Sequence, residues 1–170
     1  MSVLFDHLPE LWQGLLVTFQ LTAASFLGAA VLGVLVTALR VSPVRVLRGL
    51  GTAYVETFQN LPLLVLLVLA VFGLPEIGIQ ADLLETAIVV IAVYQAAYFA
   101  EALRSGVNSV AKGQGEAARA IGLTFMQSLT MIILPQAFRA VIAPLGSVMI
   151  AMIKNTTVAT AGGCATTCSR

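Results

Sequence analysis

Lys154 is the only cation inside an apolar run of this chain, and Asn155, Thr156 and Thr157 follow it directly. A charge in hydrocarbon costs roughly 2.5–3.5 kcal/mol on insertion scales and usually faces a cavity or a partner. The chemistry open to these four residues is recognition. An ammonium, an amide and two hydroxyls can hold a zwitterion, with the ammonium pairing a carboxylate through a charge-assisted hydrogen bond. Lys154 lies fifteen residues after Arg139, which on a continuous helix sets it about 22 Å deeper. The other reading is a lysine snorkelling to the outer headgroups. Glu56, Gln59 and Asn60 precede Pro62 and either line the mouth of a path or cap their helix. Gln95 is the lone amide of its run, and hydrogen bonding between helices suits it best.

Chemistry of the bond-breaking kind is missing. No G-x-x-x-x-G-K-[ST] phosphate loop occurs, so ATP is not bound by that route. His7 stands alone, and Cys164 and Cys168 have neither a histidine nor a second pair to complete a zinc site. No metal, cofactor or nucleophile pattern emerges, and the chain does not read as an enzyme. A net charge of +1 leaves no nucleic-acid footprint.

What must position these residues is a set of membrane helices. The chain is 59% hydrophobic and 10% charged, against about 25% charged in a soluble domain, and its mean hydropathy is +0.97. Four runs approach the roughly 20 apolar residues that a crossing needs, which predicts spans at about 11–39, 54–75, 84–103 and 140–161. Residues 1–10 lack a basic region and carry Asp6 and Glu10, so the first run is expected to be retained rather than cleaved as a signal. Lys and Arg set the orientation. None precedes Arg40; Arg40, Arg45 and Arg48 fill the first connection; the second carries Glu76, Asp82 and Glu85; Arg104, Lys112, Arg119 and Arg139 fill the third. The N-terminus is therefore expected outside and the stretch 104–139 in the cytoplasm of a bacterial plasma membrane.

Ser25, Ala29, Gly33 and Thr37 recur every four residues along the first run, a small-residue stripe that lets a second helix approach closely. Trp12 suits an interfacial anchor. The polar stretch reads as short amphipathic helices, with Val107, Val110 and Ala111 on one face and Ala117, Ala118, Ile121 and Met126 on another. Gly122 interrupts them where a positive φ would carry no Cβ penalty. Such a ridge either docks into a partner's cleft or lies on the bilayer as a plain connector.

One pattern in that stretch is specific. Glu116-Ala117-Ala118, three residues, Gly122, nine residues, then Ile132-Ile133-Leu134-Pro135 resembles at every position the cytoplasmic coupling motif of ABC importer permeases. The run AEALRSGVNSVAKGQGEAARAIGLTFMQSLTMIILPQAFRAVIAPLGSVMIAMIKNTT and the upstream AYVETFQNLPLLVLLVLAVFGLP look like polar amino-acid permeases of the histidine/glutamine/glutamate branch. RVSPVRVLRGLGTAY looks most like actinobacterial glutamate permeases. The resemblance covers roughly residues 10–161. It implies an all-α type I importer transmembrane domain with a five-helix core, of which four spans are present, paired with the same or a similar permease. It further implies separate ABC ATPase subunits, docked on Glu116, Ala117, Ala118 and Gly122, and an extracellular solute-binding protein. The cargo implied is a polar amino acid, glutamate or glutamine, with Lys154, Asn155, Thr156, Thr157, Gln59 and Asn60 as candidate path residues.

After Thr160 the resemblance ends. Residues 162–170 lose the apolar character of the preceding span, and this tail is expected to be a frameshift or truncation product. Two other classes remain open on the residues alone: an ion-coupled carrier or channel, which would usually show internal repeats and intramembrane acids, and a non-transporting scaffold.

Overall fold

The apolar runs fold as helices because a bilayer offers backbone N–H and C=O groups no partner except each other. The computed structural model describes residues 8–42 and 44–159. Seven α-helices follow in order: α1 (Leu8–Val41), α2 (Arg45–Asn60), α3 (Leu63–Glu76), α4 (Leu83–Ser109), α5 (Lys112–Ala120), α6 (Phe125–Gln127) and α7 (Leu134–Ala159). A π-helical turn, Ser128–Ile133, joins the last two. The described residues contain no strand. Three stretches are long and apolar enough to cross a membrane: Trp12–Val41, Leu83–Gly106 and Thr130–Thr156. The tail at 162–170, with Cys164 and Cys168, and His7 lie outside the described residues.

The predicted span 54–75 differs in form. α2 and α3 meet at 95° across Leu61 and Pro62, so this crossing is a broken one. The reason is local. A residue before proline is pushed out of the helical region, and Leu61 is extended at φ −93°, ψ 135°. Pro62 then begins the next helix as its N-cap, where its missing N–H costs nothing. The length and apolar character of the run alone do not reveal this corner.

α4 is the hub. α1, α2, α3 and α7 all pack on it, and half of its apolar window is buried against 17% of α7's. One cluster gathers Leu21, Ala29, Leu63, Leu67, Ala87, Ile91 and Met152; the other gathers Val36, Val55, Ala97 and Ala100 nearer the Arg40 end. The small-residue stripe of α1 does what its composition predicts. Ser25, Ala29 and Gly33 are buried, and a Cβ on Gly33 would lie 2.7 Å from that of Phe99. Ser25 Oγ donates to the Ile88 carbonyl at 3.3 Å and Thr37 Oγ1 to that of Ala100 at 3.4 Å. Close backbone approach and such bonds hold helices together where lipid supplies no hydrophobic drive. At the same end, Glu101 accepts from both Arg40 on α1 and Arg104 on α4, tying the two helix ends through one carboxylate.

Candidate functional site

Two places carry the functional side chains: a turn beyond the end of α4, and a cavity between α4 and α7.

The turn follows from capping chemistry. α5 ends in a Schellman arrangement: Gly122 N–H donates to Arg119 O at 3.0 Å and Leu123 N–H to Ala118 O at 3.1 Å. That closure needs a left-handed residue, and Gly122 supplies it at φ +84°. Thr124 then opens the next helix. Its N–H and Oγ1 both reach Gln127 Oε1, at 2.9 and 3.0 Å, while Gln127 N–H returns to Thr124 Oγ1 at 3.4 Å, a reciprocal capping box. Proline lacks an N–H and crowds the carbonyl four residues back. The coil widens to π geometry over Ser128–Ile133, directly before the helix that contains Pro135.

Glu116, Ala117 and Gly122 are exposed on this turn. Ala118 is not: it is buried, and α5 packs on the π-helical turn. The expected face of Ala117, Ala118, Ile121 and Met126 therefore divides. Ala117 and Ile121, four apart, stand out with Met126, whereas Ala118, a further 100° round the helix, turns inward. Ile121 is 74% exposed. The side chain of Val107, placed on the other predicted face, lies outside the described residues.

The cavity has a volume of about 350 Å³ and is walled by Tyr94, Gln95 and Tyr98 of α4 and Ser147, Val148, Ala151 and Asn155 of α7. The tyrosine hydroxyls lie 3.0 Å apart. Gln95 Nε2 donates to the Val148 carbonyl at 3.4 Å, which fits the helix–helix role its sequence position suggested. Every polar group on these walls is a neutral hydroxyl or amide. Such a lining can orient a small polar molecule by hydrogen bonds; it contains no nucleophile paired with a base.

Of the predicted path residues, the cavity takes Asn155 alone. Lys154 sits beside it on α7 but is exposed on the helix flank. Thr156 is fully buried and donates to Ile153 O at 2.7 Å within its own helix. The side chain of Thr157 lies outside the described residues. Gln59 and Asn60 end α2 at the 95° corner, where Asn60 Nδ2 donates to Glu56 O at 2.6 Å, the helix-ending role. Sequence reasoning missed Tyr94, Tyr98 and Ser147. The signal was present: two of the three tyrosines stand four residues apart around Gln95, and Ser147, Ala151 and Asn155 recur every four on the facing helix.

A hub-and-flank bundle of apolar helices long enough to span a bilayer, with a projecting turn between its last two long helices, has the form of an integral membrane component. The chain belongs to the family described as the binding-protein-dependent transport system inner membrane component, which matches residues 29–163. It is 41% identical to a probable glutamine ABC transporter permease protein, GlnM, of Bacillus subtilis, over 92% of this chain and 73% of that protein. It is 42% identical to the glutamate transport system permease protein GluC of Corynebacterium efficiens, over 96% and 77%. A crystal structure of an amino acid ABC transporter with histidines superposes with a TM-score of 0.90 at 28% identity, covering 96% of this chain and 77% of that one. Family membership favours the type I importer fold and sets the carrier and scaffold readings aside.

Proposed function

We propose that this chain is the pore-forming subunit of an ATP-driven importer of a polar amino acid, glutamate or glutamine, in a bacterial plasma membrane. Separate ABC ATPase subunits dock on the turn at Glu116, Ala117 and Gly122. A second permease, the same or similar, completes the path, and an extracellular solute-binding protein delivers the cargo. The N-terminus lies outside and residues 104–139 in the cytoplasm; spans run at about 11–39, 84–103 and 140–161, with 54–75 broken at Pro62. Asn155 contacts the cargo, Lys154 reaches its carboxylate from the flank of α7, and Thr156 holds the local helix shape.

The observation that carries this reading is the turn itself: a motif-matched, Schellman-closed projection that leaves Ile121 exposed. The test is reconstitution of the chain with its second permease, ATPase and binding protein. Glutamine or glutamate should stimulate ATP hydrolysis, and Asn155→Leu should lower uptake while basal hydrolysis stays intact. An ATPase that neither co-purifies nor responds to either amino acid would overturn the assignment.

A further inference from the structure

α2 has three faces, and the bundle uses one. Gly51, Tyr54, Val55 and Phe58 point towards α1 and α4: Gly51 and Val55 are buried, and Tyr54 Oη donates to the Val93 carbonyl at 2.6 Å. About 120° round the helix, counting 100° per residue, Val46, Leu50 and Ala53 form an exposed apolar stripe. A further 135° or so round the helix, Arg45 and Arg48 are exposed and make no ion pair among the described residues. Arg40, by contrast, is held by Glu101.

Depth is set by α1. Its apolar window ends at Val41, and α2 begins four residues later, with Gly51 packed back against Arg40. The first two turns of α2 therefore lie where hydrocarbon gives way to headgroups. Ser42 Oγ accepts from the Val44 N–H at 3.2 Å, but Val44, the N-cap, offers no side-chain hydrogen bond, so the N–H groups of the first turn, at the positive end of the helix, have no side-chain acceptor among the described residues.

We propose that the first half of α2, which enters the bilayer antiparallel to α1, seats an anionic phospholipid of the leaflet facing the coupling turn. The acyl chains lie along Val46, Leu50 and Ala53, and the phosphate meets Arg45, Arg48 and the N–H groups of the first turn. Arginines at the end where a helix enters the bilayer are drawn to the anionic headgroups of that leaflet. Paired guanidinium groups bind phosphate oxygens in a fork geometry that a zwitterionic headgroup, carrying its own cation, satisfies less well. The apolar stripe needs cover, and the charge beside it selects an anion.

The chain's single tryptophan, Trp12, permits a direct test. In the full chain carrying Trp12→Phe and Leu50→Trp, fluorescence is quenched by brominated phosphatidylglycerol or brominated phosphatidylcholine in mixed bilayers. The anionic lipid should associate about thirtyfold more strongly, the scale expected for two arginines at a membrane surface. Arg45→Gln with Arg48→Gln should bring the ratio close to one, and Arg45→Lys with Arg48→Lys, which keeps the charge but not the fork, should give a ratio between the two. Equal quenching by the two lipids in the parent, quenching by neither, or a preference that survives the glutamine pair would each overturn the proposal. Quenching by neither would place a protein partner on this face instead.

Discussion

Gly122→Val is the most direct perturbation of the coupling turn. At φ +84° the residue sits in the left-handed region, and a Cβ built there meets nothing within 4 Å. The cost is therefore backbone strain alone, about 1–2 kcal/mol for an ordinary L-residue, with a β-branched side chain at the upper end or beyond. A loss of about 2 kcal/mol reduces the equilibrium constant for closing the turn roughly thirtyfold, Gly122→Ala has a smaller effect, and Gly122→Asn is tolerated best. A matched control exists in the same chain. Gly78 also stands at φ +84° in open space, closing α3 through the same pair of bonds, Gly78 N–H to Pro75 O and Ile79 N–H to Leu74 O. Gly78→Val thus costs the same strain at a turn remote in sequence from the coupling motif. In the assembled transporter, substrate-stimulated ATP hydrolysis should fall steeply in Gly122→Val and little in Gly78→Val, with membrane insertion unchanged in both. Normal stimulated turnover in Gly122→Val, or an equal defect in the two, would refute a docking role for this turn.

Glu101→Gln removes the carboxylate shared by Arg40 and Arg104; hydrogen bonds to charged groups contribute about 1.5–3 kcal/mol, so the thermal midpoint in detergent should drop, whereas Glu101→Asp should drop it less. Gly33→Ala forces a Cβ to 2.7 Å from that of Phe99 and should cost about 1–3 kcal/mol by overpacking, read as weaker resistance to denaturant, while Gly14→Ala, in open space, should not. A cysteine at Ile79 should react with an impermeant thiol reagent added outside intact cells and one at Gln114 should not; reversed labelling would invert the proposed orientation.

Much of this architecture was legible because membrane helices announce themselves by length and composition. The run from Leu11 to Leu39 carries no charge, and its stripe of Ser25, Ala29, Gly33 and Thr37 pointed at a close helix crossing before the helix it crosses was known. Gly122 was legible because positive φ selects glycine. The corner at Pro62 was not, since an apolar run looks alike whether straight or bent and proline can also sit inside a helix, as Pro144 does in α7. The cavity was hidden for a different reason. Its walls are neutral residues of amphipathic character, and Tyr94 and Tyr98 become neighbours of Asn155 only through the packing of α7 on α4. Charge drew attention to Lys154, which stands on the flank. Ala118 shows the remaining gap: sequence gives the helical face, but which half of it turns inward depends on the π-helical turn that α5 packs against.

Gly106 gives the bundle a mechanical property. A Cβ there would lie 1.9 Å from Val141 Cγ2, so α4 and α7 touch at this point more closely than any larger residue would permit. On one side of the contact lies the coupling turn, which joins the two helices covalently. On the other lies the cavity, whose walls are those same two helices, with Gln95 about 16 Å along α4 at 1.5 Å per residue. The pair is pinched at Gly106 and held again at the cavity, where Gln95 Nε2 donates to the Val148 carbonyl. A tilt of about 5° about this pivot changes the width at Gln95 by about 1.4 Å, half the length of a hydrogen bond. A bulkier side chain at the pivot would thus reset the cavity's width without altering any residue that lines it.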